Sequence, residues 1–275
     1  MTLRSPRLLL ALGALAIAAA PALAQQIPAD PVLRDFEPFG EYVLEINGAP
    51  MQGLKMYRST KAGSAVLITG AGIPAPLLLM PRERVVNRVP AGKIVVGQDG
   101  LAFVLADAQP AKESAFAVDG RDLTFTIGGK PARLREKPYL LGLHPAGDLA
   151  RHDSGYAFRS SRYTPSAPVV QSLRQIKAPV KVRVYFGSWC PHCSETVPKI
   201  MKVAEALAGS PVQFEYYGLP TGFGNEPEAK RMGINGVPTG VLFRNGKEIG
   251  RISGHEWGIP ELALKKALDR SAKAK

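Results

Sequence analysis

The stretch Phe186-Gly187-Ser188-Trp189-Cys190-Pro191-His192-Cys193 carries the only two cysteines of a 275-residue chain, separated by one proline and one histidine. Immediately before it, Val182-Arg-Val-Tyr-Phe has the β-branched and aromatic composition of a strand. Immediately after it, Val197, Ile200, Met201, Val203, Ala204 and Leu207 recur at helical spacing, and Gly209 supplies a stop. The pair is therefore expected at a strand-to-helix junction, with Cys190 at the helix start. There, unpaired N–H groups and the helix dipole favour an anion.

Three chemistries compete for two cysteines so placed. A structural zinc site needs about four ligands in a closed tetrahedron. The four histidines, His144, His152, His192 and His255, lie at no finger-like spacing from the pair. A structural disulfide across so short a loop removes little entropy from the unfolded chain and is a poor staple. A redox pair uses the placement itself. The thiolate is the attacking form of cysteine, and a helix N-terminus lowers the pKa that controls it. Cys193, one turn later, is expected to be more buried and able to release a mixed disulfide by attacking Cys190. His192 adds a donor or a positive charge beside the thiolate.

Outward from this junction, the C-terminal part alternates strand and helix signals. Val169, Val170, Leu173 and Ile176 suggest a short covering helix, Val212–Tyr217 a strand and Pro227–Met232 a short helix stopped by Gly233. Asn245-Gly246 sits between two apolar runs and marks a tight hairpin, because both residues accept positive φ. Leu262–Leu268 closes the series as an amphipathic helix.

The residues now support a family resemblance. Trp189-Cys190-x-x-Cys193 resembles the thioredoxin active site, Pro198 falls where thioredoxins carry a kinking proline, and Gly236-Val237-Pro238-Thr239 resembles their cis-proline loop. The run from Glu226 through Gly254 is similar to the second half of thioredoxin, and the resemblance covers residues 166–275. It implies an α/β (α+β) thioredoxin fold at the C-terminus. It also implies roles: Cys190 as nucleophile, Cys193 as resolving cysteine, Val237 as backbone partner of an extended substrate, and Pro238, if cis, packed by the sulfurs. Trp189 is then a wall of the site. No metal or organic cofactor is implied, because the cysteines carry the electrons.

Departures from the pattern matter too. The Pro191-His192 dipeptide resembles that of oxidising enzymes of the DsbA type, yet the 45 positions from Cys193 to Pro238 leave no room for their helical insertion. Thioredoxins keep a buried carboxylate six residues before the first cysteine, where this chain has Val184. Glu215 and Glu195 are the substitutes that the sequence offers for proton transfer. His255, near the groove, is expected to be a solvated loop residue.

The N-terminal part reads differently. Residues 1–24 have the form of a signal peptide cleaved after Ala24: Arg4 and Arg7, an apolar run from Leu8 to Ala20, then Ala22-Leu23-Ala24. That predicts an exported protein of the bacterial periplasm. Residues 25–145 favour short strands ended by Gly, Asn or Pro, among them 41–47, 65–69, 93–97, 101–105 and 122–130, and are expected to form a β-rich domain. Residues 146–165 have a polar, Ser/Pro/Gly-containing composition that reads as a linker to a domain at 166–275.

The formal net charge of +12 gathers partly on Lys265, Lys266, Arg270, Lys273 and Lys275, without interleaved aromatic residues. It reads as a solubility and steering feature, not as a nucleic-acid surface. The expected partners are cysteine-containing exported proteins and a membrane redox protein. Two further readings stay open: an isomerase or chaperone that dimerises through the N-terminal domain, and a Cu(I)-handling protein using Cys190, His192 and Cys193.

Overall fold

The computed structural model describes residues 34–59 and 65–273. The expected signal peptide and its cleavage site lie outside the described residues. Among the described residues, no helix is long and apolar enough to cross a membrane.

Two antiparallel sheets build the N-terminal module. One has eight strands in the spatial order Ala111–Ala115, Val85–Arg88, Leu77–Met80, Val66–Gly70, Leu54–Ser59, Phe36–Phe39, Ala102–Val104, Ile94–Val96. The other has five, in the order Ala117–Asp119, Asp122–Ile127, Lys130–Glu136, Tyr42–Ile46, Ala49–Pro50. Side chains of both sheets meet in one core, including Phe39, Met56, Ile68, Leu77 and Leu79 from the first and Leu44, Phe125, Ile127 and Leu134 from the second. Lys130–Glu136 buries alternate residues, Ala132 and Leu134, whereas Val66–Gly70 and Leu77–Met80 are each buried over three consecutive residues in the middle of the larger sheet. The module is β-rich, as expected.

The third sheet belongs to the C-terminal half. Its order is Gly142–His144, Val212–Gly218, Val180–Phe186, Thr239–Arg244, Lys247–Ile252, and only the pair 180–186 with 212–218 runs parallel. The central strand Val180–Phe186 buries Val182, Val184 and Phe186 on one face and Tyr185 on the other. The hairpin turn at Asn245-Gly246 takes φ values of 50° and 75°, as its sequence demands.

The segment expected to be a linker is instead folded. Ala146–His152 (α1) and Ser154–Ser161 (α2) are helices, followed by Ala167–Arg174 (α3). Later come Pro191–Ala206 (α4), Pro227–Met232 (α5) and Pro260–Lys273 (α6). The polar composition of 146–165 hid two short amphipathic turns whose stability comes from packing more than propensity. Leu149 and Tyr156 enter the same core as α4 and α6, and the Asp153 side chain accepts a hydrogen bond from the Gly155 N–H at the start of α2. The passage from β module to C-terminal sheet also comes earlier than residue 146, because Gly142–His144 already pairs with residues 216–218.

This packing yields a test. Leu149 is fully buried. Leu149→Ala should lower unfolding free energy by about 2–5 kcal/mol in urea titration, the range for buried leucines. A residue in a solvated linker would change it by less than about 0.5 kcal/mol.

Candidate active site

The strand Val180–Phe186 ends at the site, and the loop Gly187-Ser188-Trp189 carries the chain to α4. Cys190 is the N-cap residue of α4, with Pro191 in the first turn, where a missing N–H costs nothing. The sequence thus places one sulfur where the helix end is electropositive and the other a turn inside.

The two cysteines lie side by side as free thiols, Cys190 half-buried and Cys193 fully buried. Their environments divide one proton unequally. The Cys193 S–H donates to the Cys190 sulfur; against the opposing cost of partial burial, this bond, the backbone N–H groups of Cys193 and His192, and the nearby His192 ring together lower the Cys190 pKa to about 6. Cys193 moves strongly the other way, because it donates to Cys190 and is desolvated; the Gly187 N–H, 3.5 Å from its sulfur, only partly offsets this. At neutral pH Cys190 is the thiolate and Cys193 holds the proton.

The other expected site residues gather around this pair. The Trp189 indole N–H donates to the Leu219 carbonyl at 2.8 Å, and its ring lies against Phe223 with centroids 6.5 Å apart. Pro191 and His192 are exposed beside Cys190. The His192 Nε2 approaches the Gly254 carbonyl at 3.3 Å. The Val237–Pro238 peptide bond is cis, and the Gly254 backbone comes close to both Pro238 and His192. Thus the loops at 189–192, 236–239 and 253–255 share one rim. His255 is exposed, with Nδ1 3.3 Å from the Ser253 hydroxyl.

Neither proposed carboxylate reaches the buried sulfur. Glu215 pairs with Arg183 at 2.5 Å and Lys181 at 3.4 Å, on the face of the sheet opposite Val184 and Tyr216. Glu195 is exposed and faces Arg159 at 3.7 Å. Strand alternation decides the first and helix phase the second.

Two contacts escaped the sequence reading. The Leu140 N–H donates to the Ser188 hydroxyl at 3.1 Å, tying the segment before the edge strand to the active-site loop. Tyr156 of α2 is buried in the core that contains Cys193, and its hydroxyl has no hydrogen-bond partner among the described residues. Nothing local marks either one. Both arise where distant segments meet.

Against known proteins, the thioredoxin family model matches residues 170–269. Among solved structures, the chain is similar to Fasciola hepatica thioredoxin at 26% identity, covering 38% of this chain and 92% of that one with a TM-score of 0.27. It is similar to thioredoxin f from spinach chloroplast at 24% identity, covering 38% and 85%, again with a TM-score of 0.27. Thioredoxin from Trypanosoma brucei brucei matches at 18% identity over 38% and 88%, with a TM-score of 0.27. The C-terminal part is a thioredoxin domain, and the β module lies outside the match.

The shared proton gives a measurable signature. The alkylation rate of Cys190 should follow thiolate content, staying high at pH 7 and falling as pH drops through about 6. In Cys193→Ala the S–H donor is gone, so the midpoint should rise toward the ordinary thiol range of about 8.5. Iodoacetamide alkylation rates read across pH give both midpoints.

Proposed function

We propose that this protein is a thiol–disulfide oxidoreductase acting on cysteines of exported proteins in the periplasm. The reading rests chiefly on the paired sulfurs, one half-buried with a pKa held near 6 and one fully buried and protonated. In the reducing direction, the Cys190 thiolate attacks a client disulfide, one client sulfur leaves with a proton, and a mixed disulfide joins client and Cys190. The Cys193 sulfur then bonds to Cys190, the mixed disulfide breaks, and the client is released as a dithiol. In the oxidising direction the same bonds form and break in reverse order. Val237 at the rim offers backbone groups to an extended client, and Trp189, Pro191 and Pro238 form the surrounding surface.

Direction follows from how strongly the reduced form is stabilised. A thiolate pKa near 6 lies between the values of about 7 for thioredoxin and about 3.5 for DsbA. The Pro-His dipeptide, which resembles that of DsbA-type enzymes, pulls toward the oxidising side, and the thioredoxin-sized body toward the reducing side. A membrane redox protein then resets the pair, and a copy-to-copy contact through the β module would favour isomerisation; the mass in solution tests that arrangement.

Equilibration with glutathione buffers tests the reading. The Cys190–Cys193 couple should fall between about −270 mV and about −120 mV. Cys190→Ser should abolish disulfide exchange with a peptide disulfide. Cys193→Ala should retain the first attack and accumulate the mixed disulfide. A wild-type protein that exchanges no disulfide under these conditions overturns the reading.

A further inference from the structure

A cleft of about 610 Å³ opens where both sheets of the β module meet α1 and the start of α2. None of the residues around the cysteine pair lines it. One wall is Tyr42–Leu44 of the five-stranded sheet, another is Leu54–Tyr57 of the eight-stranded sheet, and Ala150, Arg151 and Ser154 close the helical side. Its volume falls in the range of about 300–1,000 Å³ that small-molecule sites occupy. Backbone contacts hold the seam: a Cβ added at Gly40 would lie 2.9 Å from the Ser154 nitrogen, and one at Gly155 3.0 Å from the Pro38 carbonyl oxygen.

The lining is apolar with a cationic fringe. Met51, Leu54, Met56 and Val96 supply carbon surface, and Val96 stays 49% exposed. Lys55, Lys137 and Arg151 are the charged side chains, and no carboxylate lines the cleft. Backbone register brings them together. Met56 pairs with Phe39 and the Lys137 N–H donates to the Glu41 carbonyl, so Lys55 and Lys137 flank the same turn at Gly40. The Lys137 ammonium donates to the carbonyl of His152, the residue after Arg151, at 2.7 Å. Arg151 is engaged by Asp148, and the Glu41 carboxylate faces Arg58 at 3.8 Å. Lys55 and Lys137 have no ion-pair partner among the described residues. Burial draws the Lys137 pKa below the ordinary lysine value, and the Asp153 charge only partly offsets this. An anion in the cleft would offset it further.

The walls also decide what kind of anion fits. Leu54–Ser59 already pairs with Phe36–Phe39 and Val66–Gly70. Tyr42–Ile46 pairs with Lys130–Glu136 and, from Leu44 onward, with residues 49–51. Of these two walls, only Tyr42 and Val43 keep an open edge, too short to seat a peptide as an added strand. A peptide would also bring polar amides against an apolar lining. An acyl chain carries no such groups, and methionine side chains adapt to a flexible chain.

We propose that this cleft binds a small amphiphilic carboxylate, with its acyl chain against Met51, Leu54, Met56 and Val96 and its head group at Lys55 and Lys137. The full chain is titrated with dodecanoate, below its micelle concentration, in a calorimeter. Dodecanoate should bind at one site. Dodecyltrimethylammonium, which has the same chain and the opposite charge, and acetate, which has the same head and no chain, should each bind at least about tenfold more weakly. Lys137→Gln should weaken dodecanoate about tenfold or more, the size of one hydrogen bond to a charged group. Lys55→Glu and Val96→Glu stand at exposed positions and keep the test open if Lys137→Gln perturbs folding. Lys55→Glu should weaken binding about threefold or more, as an exposed ion pair allows, and Val96→Glu should weaken it too. No dodecanoate binding, equal binding of the two dodecyl compounds, wild-type affinity in the lysine variants, or tighter binding of an acidic, leucine-rich octapeptide overturns the inference. Disulfide exchange plays no part in this readout, so failure here leaves the oxidoreductase reading untouched.

Discussion

One proton divided between two sulfurs organises the C-terminal half of this protein. For Cys190 to be an anion near neutral pH, its neighbour must be a donor, and for Cys193 to remain a donor it must be kept from water. Helix geometry meets both needs: an N-cap residue faces the positive end of the helix, while a residue three positions later turns toward the core. The strand Val180–Phe186, buried along its final turn of sequence, then fixes where that helix begins.

The surroundings of the pair follow from the same constraint. The half-buried Cys190 lies between an open rim on one side and an apolar floor on the other. The rim formed by Trp189, His192, Pro238 and Gly254 provides the first, and Val197, Leu242 and Trp257 contribute to the second. Tyr156, on α2 between the thioredoxin domain and the β module, packs into the same core.

The β module thus contributes to the architecture in a concrete way. Through Glu37, Pro38 and Gly40 it packs against Arg159, Gly155 and Ser154 of α2, and Leu140, in the segment that follows the module, reaches the Ser188 hydroxyl of the active-site loop. These contacts join the module to both ends of the cysteine loop: Ser188 before the pair and Ser194 after it.

Much of this was legible before any coordinates. The strand-cysteine-helix junction, the Asn245-Gly246 hairpin and the short strands of residues 34–136 rest on interactions between near neighbours in sequence, so periodicity and turn chemistry determined them. Which cysteine is half-exposed and which is buried also follows from local helix phase. Tertiary structure alone decided that 146–161 is helical, that Gly142–His144 extends the C-terminal sheet, that Glu215 and Glu195 miss the buried sulfur, and that Tyr156 joins its core. Each depends on side chains that meet across long loops, where burial overrides composition: a short polar helix gains its stability from what it packs against, and a carboxylate's role depends on the face to which the sheet turns it.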